Sequence, residues 1–287
     1  MTTKRSPWAP VWGFMRWLRR DLRAALSLGF LVFLLLVSVL APLITPYSPA
    51  AQNLDHMLLP PSMEHLLGTD DLGRDVLSRL VHGAPATLYA SLLAVSIACL
   101  IGVPIGLLAG FLGGWVDDGI GRIVDTLLSF PAIVLAIGVT GALGIGLTNS
   151  MMAVGIVFAP SLARLVRAQT LIIKQELYVD AARCFGASNL RMILQHIAPN
   201  AIQPVIVQVT LLLAAALLAE ASLSFIGLGV QPPQPSWGAM LAKAQNYLEI
   251  APEQMYAPGF AILLTALAFN ALGESLREVL DPTMKRR

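Results

Sequence analysis

Long apolar runs separated by short polar intervals set the organisation of the chain. Six runs approach or exceed the roughly 20 residues a helix needs to cross about 30 Å of hydrocarbon: residues 24–45, 86–112, 123–146, 150–169, 202–225 and 258–277. Lipid offers no partner for backbone N–H and C=O groups, so such runs predict helices. The short alternating segments of a membrane barrel are missing. The pattern therefore predicts an all-α, polytopic membrane helical bundle with six transmembrane helices. The polar intervals divide it into an amphipathic N-terminal segment (1–23), a first span (24–45), a loop (46–85), a core of spans two to six (86–280) and a short tail (281–287). Within the core lie a half-polar segment at 170–200 and a loop at 226–257.

Composition agrees with bilayer as the solvent. Of the 287 residues 56% are hydrophobic and 13% charged, about half the charge of an ordinary soluble domain. A net charge of +2 gives no footprint for nucleic acid. The position of the charge is more informative. Lys4, Arg5, Arg16, Arg19, Arg20, Arg23, Arg122, Arg164, Arg167, Lys174, Arg183, Arg191, Arg277, Lys285, Arg286 and Arg287 all fall on one side of the six-span arrangement, leaving Arg74, Arg79 and Lys243 on the other. The positive-inside rule then predicts that both termini, segment 170–200 and the tail are cytoplasmic, and that loops 46–85 and 226–257 are external. "WGFMRWLRRDLRAAL" mixes Trp and Arg at helical spacing, as an interfacial helix does. The first span is too long for a signal-peptide core and ends in prolines, so it reads as an uncleaved anchor.

The spans contain few polar groups. In "IGVPIGLLAG", Gly102, Gly106 and Gly110 share one face, where another helix can approach closely, and Pro104 removes a backbone donor and should kink the run. Gly138, Ala142 and Gly146 form a similar stripe in span three. Asp125 lies one turn from Arg122 and can pair with it. Glu220, near the outer end of span five, is either a gating or pathway group or a helix-to-helix hydrogen-bonding group. Cys99 and Cys184 make no disulfide framework, and His56, His65, His82 and His196 have no metal-ligand spacing. No metal site and no catalytic residue is assigned.

The segment "YVDAARCFGASNLRMILQHIAPN" is the largest polar interruption. Val179, Ala182 and Phe185 repeat at helical spacing, and Asp180 suits the positive end of that helix. Gly186 can end it in the left-handed region, and Ser188 or Asn189 can cap a second helix running to Pro199. Adjacent Ala181 and Ala182 permit close docking in a groove, the helix-in-groove mode of recognition. The segment thus reads as a docking element for a cytoplasmic partner.

"DAARCFG" followed by Pro199 resembles the EAA loop of importer-type ABC permeases: EAA, three residues, Gly, then an apolar stretch ending I-x-L-P. Asp180, Ala181, Ala182 and Gly186 match, with Asp for Glu, whereas His196 and Ala198 depart from the I and L positions. "GTDDLGRDVLSRLVHGA", "LAEASLSFIGLGVQPPQPSWGAML" and "APLITPYSP" resemble the dipeptide/oligopeptide/nickel permease family, and specifically its second, C-type permease.

That resemblance implies an ABC type I importer-like permease with no chemistry of its own. It implies a channel made with a second, B-type permease, two cytoplasmic ATPase subunits that bind ATP and Mg, and an external substrate-binding protein. The absence of a GxxxxGK[ST] phosphate loop agrees with this division. The 178–187 helix, with Val179, Asp180, Ala181, Ala182, Phe185 and Gly186, would couple to an ATPase, and Gly102, Pro104, Gly106, Gly110 and Glu220 would serve packing or gating. The implied cargo is a di- or oligopeptide, with glutathione-like peptides or nickel chelates as alternatives. The acidic loop 46–85 (Asp55, Glu64, Asp70, Asp71 and Asp75 against Arg74 and Arg79) and the Pro/Gln-rich loop 226–257, with Trp237 and Tyr247, either receive the binding protein or are merely solvated. A self-sufficient secondary transporter is the rival class, but it would place coupling charges mid-membrane, where this chain offers little beyond Glu220.

Overall fold

The computed structural model describes residue 18 and residues 21–280. The interfacial N-terminal helix and the basic tail expected from the sequence lie outside the described residues. Nearly everything described is helical, and the extended pairing consists of one isolated bridge, Thr69 with Asp75.

Helix α1 (Leu22–Ile44) starts where Asp21 accepts hydrogen bonds from the backbone of Arg23 and Ala24, and it ends at Thr45. A 3-10 turn (Leu54–His56) follows in the connecting segment. Helix α2 (Val76–Leu112) begins ten residues before the apolar run does, because Asp75 caps it through the Ser78 N–H. It continues without a break through Pro85 and Pro104. Residues 76–85, expected in a loop, are therefore helix.

The third apolar run departs most from expectation. Two helices replace one, α3 (Gly114–Ser129) and α4 (Ala132–Leu143), bent by 98°. The break is at Phe130–Pro131. A residue before proline is driven to extended backbone, and Phe130 sits at φ −85°, ψ 141°. Helix α3 is amphipathic, with Trp115 95% exposed and Val124 buried. Then come α5 (Leu147–Ile173), a short helix α6 (Leu177–Cys184), and a long helix α7 (Asn189–Phe225) that contains a π turn at Met192–Ile197. The second helix of the half-polar segment was expected to stop at Pro199. It instead runs on into span five, with the wider π turn immediately ahead of the proline. Helices α8 (Trp237–Gln245) and α9 (Glu253–Leu280) complete the chain. Among the described residues five helices are long and apolar enough to cross a membrane, or six if the bent α3–α4 pair counts as one span.

The main packing is α2 against α5. A Cβ added to Gly102 would meet the Ala159 carbonyl oxygen at 2.6 Å, and one on Gly106 would meet the Ala163 carbonyl oxygen at 2.5 Å. One on Gly110 would meet Thr170 Cβ at 2.7 Å. From the other side, a Cβ on Gly155 would lie 2.6 Å from the Ala94 carbonyl oxygen. The two backbones touch over four turns, which is how helices associate where lipid supplies no hydrophobic drive. The span-three stripe behaves differently: Gly138 and Gly146 have nothing within 4 Å. Gly106→Ala should therefore overpack the seam by about 1–3 kcal/mol, lowering the unfolding temperature in detergent. Gly138→Ala, in open space within a helix, should not lower that temperature and by helix propensity should raise it slightly.

Candidate functional site

Two polar constellations stand at opposite ends of the α2–α5 seam. The first is built on α6. Glu176, in extended backbone, precedes the helix, and Gly186 at φ +80° follows it. The Ser188 hydroxyl then accepts from the Arg191 N–H and caps the start of α7. The helix has two faces. Val179 is fully buried and packs with Met192 and Ile197 in the main apolar cluster, so it anchors α6 and does not lie on a docking face, contrary to expectation. Ala182 is half-buried, while Asp180, Ala181 and Gly186 are exposed. Phe185 is 92% and Leu177 84% exposed, and Leu190 and Leu194 are exposed nearby. An uncovered apolar surface thus exists, but it runs along Leu177, Ala181 and Phe185.

Beside α6 the polar contacts are local. The Asn200 side-chain amide donates to the Tyr178 hydroxyl at 3.0 Å and to the His196 carbonyl at 2.7 Å. The Tyr178 hydroxyl lies 3.5 Å from that same carbonyl. Asp180 and Arg183 form a loose exposed pair at 3.7 Å, worth little in water.

At the same end α3 is held to α5 by ion pairs. The Arg167 guanidinium donates through both Nε and a terminal nitrogen to the Asp117 carboxylate, and Arg164 donates to Asp125. Asp125 was expected to pair with Arg122 on its own helix; α5 brings a closer partner. Lys174 Nζ donates to the Phe111 carbonyl at 2.7 Å, covering the last turn of α2. A cleft of about 400 Å³ opens between these charges.

The opposite end carries the second constellation. The Arg74 side chain, 1% exposed, donates through Nε to Asp70 at 2.7 Å, with a terminal nitrogen 2.6 Å from Asp70 and 3.3 Å from Asp71. Arg79 approaches Asp70 at 3.3 Å and donates to the Pro49 carbonyl at 2.8 Å. Asp75 accepts from Ser78 and lies 3.0 Å from His65 Nδ1. Gln254 of α9 donates to the Thr69 carbonyl at 2.9 Å. Trp237 is buried and donates through its indole N–H to the Leu80 carbonyl at 2.8 Å. Asp70, Asp71, Asp75, Arg74, Arg79 and Trp237 are thus built into the structure; neither solvation nor a docking surface describes them. Asp55, Glu64 and residues 231–234 remain exposed, and the latter border a cleft of about 700 Å³ with Tyr89 and Asn149. The close interleaving of acids (Asp70, Asp71, Asp75) with bases (Arg74, Arg79) in "GTDDLGRDVLSRL" was the available signal for an internal network.

Glu220 lies 1% exposed beneath α8. Its Oε1 accepts from the Ser224 hydroxyl at 2.7 Å, while Oε2 has no hydrogen-bond partner among the described residues. A Cβ on Gly238 would stand 3.0 Å from Oε2 and 2.7 Å from Ala221 Cα, so α8 rests directly on this carboxyl group.

Comparison with known proteins decides what such a bundle belongs to. The family model described as "Binding-protein-dependent transport system inner membrane component" matches residues 102–286. The chain belongs to this family. A second model, "N-terminal TM domain of oligopeptide transport permease C", matches residues 6–61. Among relatives, the "Glutathione transport system permease protein GsiD" of Escherichia coli O6:K15:H31 is 44% identical over 98% of this chain and 92% of its own length. The "Dipeptide transport system permease protein DppC" of Alkalihalophilus pseudofirmus is 41% identical over 98% of this chain and 91% of its own. Two inward-facing structures of the MetNI methionine ABC transporter share the fold, with TM-scores of 0.57 and 0.59 at 18% and 19% identity. Each covers 71% of this chain and 96% or 97% of that one.

As a binding-protein-dependent permease, the chain is a multi-pass inner-membrane transport subunit of the ABC importer class. It is not an enzyme and has no cofactor of its own. Its family works with a partner permease, an ATPase and a binding protein. The self-sufficient transporter weighed from sequence is set aside.

Removing one partner from a buried ion pair leaves an uncompensated charge. Arg74→Ala should cost about 3 kcal/mol, read as a lower unfolding temperature and as faster proteolysis in residues 46–75.

Proposed function

We propose that the chain is the C-type permease of a two-permease, ATP-driven importer of di- and oligopeptides, forming half of the translocation channel. In this reading the second permease is a B-type chain, two cytoplasmic ATPase subunits bind ATP and Mg, and an external binding protein delivers the peptide. Both termini and α6 are cytoplasmic, in keeping with the one-sided distribution of Lys and Arg. The observation that carries the coupling role is the exposed apolar face of α6, with Phe185 92% exposed beside small Ala181 and the turn at Gly186. Such a face seats well in a groove of a soluble partner. ATP-driven closure of the ATPase pair would draw this helix toward its counterpart and tip the bundle outward; hydrolysis would reverse it. The glycine seam with Gly102, Pro104, Gly106 and Gly110, and Glu220 beneath α8, are the places where the bundle would yield.

A glutathione importer is the second reading, favoured by 44% identity to relatives named for glutathione transport. Glutathione is itself a small peptide, so the two readings share one chemistry.

The test of the coupling role is to extract the chain gently from its native membrane and identify its companions by mass spectrometry. Wild type should bring a second permease and two ATPase chains, and Ala181→Glu with Ala182→Glu should lose the ATPases while keeping the permease. Recovery of the ATPases with that variant would end the docking role of α6. Gly186→Val places a β-branched residue at φ +80°, a strain of about 1–3 kcal/mol. It should insert normally yet lower uptake; uptake at the wild-type rate would count against the reading.

A further inference from the structure

Helix α6 touches the rest of the chain narrowly. Apart from its covalent connections, its principal packing is against the π turn at Met192–Ile197. Through Val179 that contact is apolar, and an apolar contact resists separation but is non-directional. Directional contact centres on the Tyr178 hydroxyl, which lies 3.5 Å from the His196 carbonyl and is met more closely by Asn200. Asn200 has two amide hydrogens; one is taken by the His196 carbonyl of its own helix at 2.7 Å, the other by the Tyr178 hydroxyl of α6 at 3.0 Å. A tyrosine phenol is protonated at neutral pH, and its oxygen still has lone pairs with which to accept from Asn200. The backbone that Asn200 grips is irregular. The Ala198 N–H bonds five residues back to Ile193, and Pro199 donates nothing. Single π turns of this kind are sites where a helix changes its winding, often for function.

We infer that Tyr178 and Asn200 form a latch that fixes α6 to the base of span five, so that displacement of α6 turns α7 at its π turn. Both are positioning residues: each acts through the helix it holds. The inference rests on the coupling role proposed for α6 and adds the route by which motion leaves that helix. Without the latch α6 can follow the ATPase while α7 lags, and hydrolysis proceeds without transport.

The experiment uses the complete permease–ATPase complex in liposomes with its binding protein, carrying wild type, Tyr178→Phe, Asn200→Ala, or both. Radiolabelled alanylalanine and glutathione serve as probes, and uptake is expressed per ATP hydrolysed. Each single variant should keep the ATPases bound and lower that ratio roughly two- to tenfold, the range expected for one net hydrogen bond. The double variant should be no worse than the poorer single one, because both remove the same interaction. A purely structural role would reduce the yield of complex and leave the ratio unchanged. An unchanged ratio, a doubly multiplied loss, or release of the ATPases by either single variant would overturn the latch. Retention of the ATPases by the Ala181→Glu, Ala182→Glu chain in the same preparation would sink the coupling role itself, whatever the ratios show.

Discussion

The contact between α2 and α5 is the constraint on which the rest of the structure depends. Inside a bilayer, apolar side chains gain little from meeting one another, because lipid is as apolar as they are. Adhesion has to come from close backbone approach, and only residues without a Cβ permit it along this seam. Gly102, Gly106 and Gly110 on one helix and Gly155 on the other allow the contact at distances a methyl group would forbid. Once α2 and α5 are in register, the ends of both helices are fixed. The Arg167–Asp117 and Arg164–Asp125 pairs can then clamp α3, and the Asp75 cap and the Arg74 network can form at the other end.

Where hydrophobicity alone decides, the sequence was legible. Apolar runs locate the helices because a bilayer leaves the backbone no other option. The turn at Gly186 and the cap at Ser188 were also readable, since both rest on local chemistry. What escaped was non-local. Val179 follows the helical stripe with Ala182 and Phe185, and nothing in the spacing says that Met192 and Ile197 fold back to cover it. Asp125 has a nearer partner in sequence than in space. Trp237 sits among prolines that mark a loop, yet α2 offers it the Leu80 carbonyl. The break at Pro131 was readable in principle, but continuous hydropathy across 123–146 outweighed a single proline.

Charge is handled in two ways. At the loop-bearing end the acidic and basic residues neutralise one another internally, with Asp70 shared by Arg74 and Arg79 and Asp71 by Arg74 and Lys243. Such burial is costly unless every charge has partners, and here the partners come from loop, α2 and α8. At the α6 end the pairs are more exposed, and apolar side chains share the surface with them. One end keeps its charges paired and largely buried, and the other leaves its surface open.

The bend between α3 and α4 bears on depth within the bilayer. Helix α4 has 12 residues, a reach of about 18 Å at 1.5 Å per residue, against a hydrocarbon layer of about 30 Å. The extended backbone at Phe130–Pro131 and the left-handed glycines Gly144 and Gly146 therefore bracket a rod too short for the slab it occupies. Irregular backbone at such depth is compatible with a membrane only where protein or water covers it. Helix α4 leaves Ile133, Val134, Ile137 and Leu143 uncovered within the described residues, so the cover that its irregular ends require at membrane depth has to come from outside them.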